Sequence, residues 1–183
     1  DIPFTINTTA AWSLDPTYNG MVVADVSAIC IDDDTAGITV TPTSGLIVTE
    51  EGGTDTFSIV LNTQPTASVT IGLSSSAPSE GSVSPTSLTF TTSNWNSPQT
   101  VTVTGLDDFI DDGDVSFSII TAVPTGTDTT YTAINPADVS VTNTDDDTAG
   151  ITVTPTTGLT VTEAGETDTF SIVLNTQPTA SVT

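Results

Sequence analysis

Residues 31–70 read IDDDTAGITVTPTSGLIVTEEGGTDTFSIVLNTQPTASVT, and residues 144–183 repeat this text, offset by 113 positions, with only five of forty residues changed. A fixed long period of this kind specifies a tandem array of similar modules, not one fold spread over the whole chain. The start of the chain carries the same period more faintly: Asp1, Phe4, Tyr18 and Asp25 fall on Asp114, Phe117, Tyr131 and Asp138. The expected organisation is therefore residues 1–34 as the C-terminal part of a preceding module, 35–147 as one complete module, and 148–183 as the N-terminal part of the next. The absence of an initial Met and of a visible signal peptide fits a processed or excised piece of a longer polypeptide with more copies.

Within one period the residues alternate. Thr is abundant with Val, which favours strands, while Gly, Pro, Asn and Asp punctuate the chain as turn formers. Good helix formers are scarce. The hydrophobic fraction of 36% and its strand-like spacing argue against disorder, despite the strong charge. Seven segments read as strands: about 37–49 with a kink near Pro42 and Gly45, then TDTFSIVLN, SVTIGL, SLTFT, TVTVT, VSFSII and DVSVT. Alternation places Phe57, Ile59 and Leu61 on one face, and likewise Val69, Ile71 and Leu73, Leu88 and Phe90, Val101 and Val103, Phe117 and Ile119, and Val139 and Val141. Seven short strands in just over one hundred residues predict an all-β antiparallel sandwich.

The charge is one-sided. The chain has 23 acids and no Lys, Arg or His, a net charge of −23. That excludes a nucleic-acid surface, which requires a basic footprint. No apolar run is long enough for a membrane-spanning helix. If successive strands run antiparallel, 12 of the 14 acids in 35–147 fall at one pole: Glu50, Glu51 and Asp55; Glu80; Asp107, Asp108, Asp111, Asp112 and Asp114; and Asp145, Asp146 and Asp147. Only Asp128 and Asp138 lie towards the other. Like charges gathered without a cationic side chain imply a bound cation. An all-carboxylate set suits Ca²⁺, with its 6–8 oxygen ligands and tolerance of irregular loops, better than Mg²⁺. Zinc and copper would call for His or Cys, and the chain offers only Cys30. DDFIDDGD lacks the ligand spacing of an EF-hand. The alternative is a solvated acidic surface that holds no ion.

The ordered set VTEEGG, SEG, VTVTGLDDFIDDGDVSF and terminal VTNTDDD resembles the Calx-beta domain, known from sodium–calcium exchangers and large bacterial surface proteins. The resemblance covers the complete module and both partial ones. It implies an immunoglobulin-like sandwich with a Ca²⁺ cluster at the acidic pole. By position it implies ligand roles for Glu50, for Asp107 and Asp108, for Asp112, and for Asp145, Asp146 and Asp147. Glu80 stands where the family usually has Asp, and Val115 where exchanger modules can carry another acid, so the number of ions is left open. Asp32, Asp33 and Asp34 would serve the preceding module, and Glu163 the following one.

These features describe a non-catalytic repeat region: a calcium-stiffened stalk or filament of a large adhesin-like protein, secreted and displayed on a bacterial cell surface. Its partners would be neighbouring modules of the same polypeptide, or copies of itself joined by strand exchange in a fibre. Paired carboxylates alone do not make a glycosidase here, since the pole lacks aromatics to bind a sugar. Trp12 and Trp95 could form a carbohydrate platform, but a loop tryptophan such as Trp95 more simply caps the sandwich edge. Outward threonine rows could bind a flat ligand such as ice, or form an ordinary polar face. Cys30 aligns with Asn143 and reads as a small buried or half-buried residue or an intermolecular disulfide partner.

Overall fold

The computed structural model describes all 183 residues, and the chain is all-β. Its strands are β1 (Ile2–Ile6), β2 (Val26–Cys30), β3 (Ile38–Thr41), β4 (Leu46–Thr49), β5 (Thr54–Leu61), β6 (Val69–Ser75), β7 (Gly81–Ser84), β8 (Ser87–Phe90), β9 (Gln99–Gly105), β10 (Val115–Thr121), β11 (Thr125–Gly126), β12 (Val139–Thr144), β13 (Ile151–Thr154) and β14 (Ser171–Leu174). Two compact units, Asp1–Thr35 and Ala36–Thr183, are distinguished. The first contains the antiparallel hairpin β1–β2.

The second unit holds a two-sheet sandwich. One sheet runs β3-β5-β9-β7, and the other β11-β6-β10-β12-β4 with β8 also on β6. All pairings are antiparallel except β4 on β12. The inner faces share one core that includes Phe57, Ile59, Ile71, Phe90, Val101, Val103, Phe117, Ile119, Val139 and Val141. Each inward row expected from alternation is buried, because a period-2 pattern leaves no other face for the apolar set.

All seven expected strands are present, and the chain changes sheets at two places. The 37–49 segment breaks into β3, paired with β5, and β4, paired with β12. Pro42 has no amide to continue the first ladder, and Gly45 turns the chain with φ +82°. A second switch had no expectation in the sequence. β7 joins β9 in one sheet and, after Pro85, β8 joins β6 in the other. SEGSVS looks like a loop because its only large apolar residue is Val83. Its strand state comes from the open edge of β9. Both switches stitch the two sheets together at their edges. Trp95 is half-buried and packs on the core rim.

Away from the acids, Asp128 and Tyr131 close the other pole. The Asp128 carboxylate accepts from Thr66 N (2.7 Å), Thr66 Oγ1 (2.9 Å) and Thr130 N (3.0 Å). The Thr66 amide is the main cause that holds its pKa below the usual carboxylate value. The buried Tyr131 hydroxyl donates to Thr63 O (2.6 Å). The two acids expected at this end are thus tied up in the frame, Asp138 by accepting from Thr121 N (2.8 Å).

The period of the text is also a period of the geometry. Ile2 pairs with Cys30 as Val115 pairs with Asn143, and Ile151 pairs with Leu174 as Ile38 pairs with Leu61, each 113 residues on. Asp25 accepts from Thr8 N at 2.8 Å, as Asp138 does from Thr121 N. A residue at the centre of the shared core should dominate stability. Phe57→Ala should cost about 3–5 kcal/mol, read as a lower urea midpoint with an unchanged slope.

Candidate metal centre

Backbone hydrogen bonds assemble the acidic pole before any side chain acts. Glu50 N donates to Thr144 O (3.2 Å), Gly105 N to Gly53 O (3.0 Å) and Leu106 N to Glu80 O (3.0 Å). These bonds lock together the turn after β4, the segment before β7, the exit of β9 and the end of β12. Gly105 permits the close approach: a Cβ there would collide with Thr49 O and Asn143 Oδ1.

Glu50 sits at the centre, 2% exposed. Oxygens of Glu50, Asp107 and Asp146 lie within 4.8 Å of one another, and so do oxygens of Glu50, Asp145 and Asp147. Asp108 and Asp112 are close enough to press on Glu50 electrostatically, and Glu80 presses on Asp112. The module thus brings Glu50, Glu80, Asp107, Asp108, Asp112, Asp145, Asp146 and Asp147 into one electrostatic neighbourhood. It does not place them equally. Glu50, Asp107 and the Asp145–Asp147 run form the tight groups, while Glu80, Asp108 and Asp112 surround them. Asp32, Asp33, Asp34 and Glu163 are exposed, and neither close group includes any of them.

Three other acids of the pole are diverted to the frame. Asp55 accepts from Ile47 N (3.1 Å) and Thr56 N (2.7 Å), and Asp114 accepts from Asp145 N (3.2 Å). Asp111 turns towards the following segment, where its Oδ2 accepts from Ala149 N (2.7 Å). Sequence reading also passed over Asn143. It is buried, its Nδ2 donates to Leu106 O (3.2 Å), and its Oδ1 has no partner. The one signal for it was its place beside the terminal Asp triplet, at the position of Cys30 in the repeat.

The electrostatics are adverse in the bare protein. Burial, reinforced first by Asp145 and then by Asp108, pushes the Glu50 pKa from 4.5 up to about 7, against a smaller opposite pull from the Asp146 amide. Asp147 is raised by partial burial and then by Asp145 and Asp146, and Asp112, which is exposed, by desolvation and then by Asp108 and Glu80. Glu50 Oε2 and Asp147 Oδ2 are buried without a hydrogen-bond partner. Buried polar atoms are seldom left in this state, and no basic side chain exists to satisfy them. Two orphaned oxygens within an all-carboxylate donor set fit a hard divalent cation. Glu50, Asp107, Asp145, Asp146 and Asp147 are the residues placed to hold one.

No family model matches the chain, and no curated protein matches it in sequence. Solved structures do resemble it. The apo form of the Calx CBD1 domain is 18% identical with a TM-score of 0.44, over 60% of this chain and 96% of that domain. The calcium binding domain CBD12 of CALX1.1 is 18% identical with a TM-score of 0.46, over 61% of this chain and 45% of its own length. The E. coli chaperone DraB is 8% identical with a TM-score of 0.43, over 63% of this chain and 59% of its own. The chain thus spans under half of the CBD12 structure that it resembles.

The raised Glu50 pKa has a defined consequence. Between pH 4.5 and about 7 the folded state holds a proton on Glu50 that the unfolded state has released, so folding stability falls as pH rises through that window. In chelator, the urea midpoint should drop from pH 4.5 to pH 7.5. Glu50→Gln, which does not titrate, should flatten part of that slope.

Proposed function

We propose that the 113-residue module is a non-catalytic, Ca²⁺-stiffened structural repeat of an extracellular stalk or filament, part of a large surface protein. In this reading 1–34, 35–147 and 148–183 are the tail, the whole and the head of successive modules. The observation that carries the reading is the double attachment of the 106–114 loop. On one side it presents Asp107, Asp108 and Asp112 to the Glu50 cluster. On the other it grips the next repeat: Phe109 O accepts from Gln177 N (2.6 Å), and Asp111 accepts from Ala149 N (2.7 Å). Ile110 and Asp111 line a recess completed by Ile151, Leu174 and Pro178.

The mechanism follows from charge. Without a cation, carboxylates around a buried Glu50 repel, and the loop that bears three of them is driven outward. The same displacement pulls on the contacts at Ala149 and Gln177, so the joint loosens. With Ca²⁺ bound, the acids can all ionise, the loop is held, and the joint is held with it. Extracellular sites in the range of about 10⁻⁴–10⁻³ M suffice for such a constitutive role. The Calx-beta likeness of VTEEGG, VTVTGLDDFIDDGDVSF and VTNTDDD supports the choice of Ca²⁺.

The test is a thermal melt of the chain in chelator, followed by titration with Ca²⁺ or Mg²⁺. Ca²⁺ should raise Tm far more than Mg²⁺, by an amount equivalent to about 2.7 kcal/mol per site at 100-fold excess over Kd. Asp146→Asn combined with Asp147→Asn should abolish the rise. An unchanged melt would leave the pole as a solvated acidic surface. The joint can be read separately. Asp111→Ala should retain the Ca²⁺-dependent rise in Tm but lose Ca²⁺ protection against proteolysis around residues 147–151.

A further inference from the structure

The inward row of β12 is Val139, Val141 and Asn143. The first two complete the apolar core, and the third is a carboxamide only 1% exposed. Nothing in the strand pattern calls for a polar group there, since its ladder partner Val48 is also sealed. From the facing sheet Gly105 packs so close that a Cβ on it would strike Asn143 Oδ1. The carboxamide is half satisfied. Nδ2 donates to Leu106 O at 3.2 Å, whereas Oδ1 is buried without a hydrogen-bond partner. An orphaned buried acceptor is destabilising, and an apolar side chain of the same size would avoid it. The sandwich alone would therefore be served at least as well by Leu.

What the carboxamide supplies is a fixed Leu106 carbonyl. Leu106 is the residue before Asp107 and Asp108, and it is exposed. Its amide donates to Glu80 O (3.0 Å), and its carbonyl accepts from Asn143 Nδ2. One residue is thus pinned from both sides where the chain leaves β9 and enters the acidic loop. We propose that Asn143 is a positioning residue for the cation site: through Leu106 it sets where Asp107 enters the group formed with Glu50 and Asp146. It is an outer partner that holds the backbone carrying a ligand, the kind of support that metal sites depend on. The identity of the ion rests on the calcium reading above; the pin on Leu106 does not.

Asn143→Leu in the 183-residue chain separates this role from a structural one. Leu fills the volume of the carboxamide and removes the orphaned oxygen, and the released Leu106 carbonyl can turn to water. In chelator the urea midpoint should hold or rise, while the Leu106 amide exchanges with solvent about tenfold faster. In a Ca²⁺ titration, read by competition with a chromophoric chelator, Kd should weaken by about 10–100-fold. A residue of the frame alone would instead lower the midpoint and weaken Kd in step, and that result overturns the proposal. Unchanged exchange at Leu106 overturns it, and so does an unchanged Kd. If the unmodified chain takes up no Ca²⁺, the calcium reading fails by itself, and exchange at Leu106 alone decides the pin. Should Asn143→Leu fail to fold, Asn143→Ala takes its place. The void it leaves lowers the midpoint, so exchange at Leu106 is compared with exchange at Val103 in β9. Selective acceleration at Leu106 supports the pin, and equal acceleration at the two overturns it.

Discussion

The structure turns on a small set of backbone hydrogen bonds that close one pole of the sandwich around Glu50. Gly105 to Gly53, Leu106 to Glu80 and Glu50 to Thr144 bring four separate stretches of chain to one place. Each stretch carries acids. The sandwich therefore folds only by driving carboxylates together, and one of them is almost wholly withdrawn from water. Burying charge without a partner is costly, and here the sequence contains no basic side chain to supply one. Protonation relieves part of that cost, which is why the Glu50 pKa climbs towards neutrality. A cation held by the surrounding carboxylates would relieve it at neutral pH.

The rest of the module makes such a pole possible. The chain crosses between sheets at two places, at Pro42 and before β8 at Pro85, and so the edges of the sandwich are bound to each other. At the far end Asp128 and the Tyr131 hydroxyl fasten loops without any cation, through hydrogen bonds to Thr66 and Thr63. One end is thus held by neutral and charge-assisted hydrogen bonds complete within the chain, and the other is left incomplete. The incomplete end is also where the chain passes into the next repeat. The loop 106–114 carries acids of the pole and also accepts hydrogen bonds from Ala149 N and Gln177 N.

How much of this was legible depended on distance along the chain. The core rows were read correctly from alternation, since Phe57, Ile59 and Leu61 can only share a face in an extended strand. The break at Pro42 and Gly45 was visible because both residues act on their own backbone. β7 was invisible: Gly81–Ser84 has little strand character, and it pairs only because β9 offers an edge. The pole was legible as a neighbourhood but not as a site. Asp111 and Asp112 are adjacent in the chain. Asp112 faces the acids around Glu50, while Asp111 bonds to Ala149, and no local pattern separates them. Asn143 and Gly105 carried no acidic signal at all, yet they govern how closely the strands approach.

The sequence by itself determined the 113-residue period, the strand character, the inward rows and the segregation of acids, because each depends on spacing within a strand or on charge alone. Tertiary structure decided which acid is buried, which oxygens lack partners, which acids serve the frame and which loop reaches the next repeat. Those outcomes depend on the register of strands far apart in the chain. A one-residue slip of β9 against β5 would turn every side chain to the other face and dismantle the pole. Charge repulsion is written in the composition, but the depth at which Glu50 must endure it is a property of the packed sandwich.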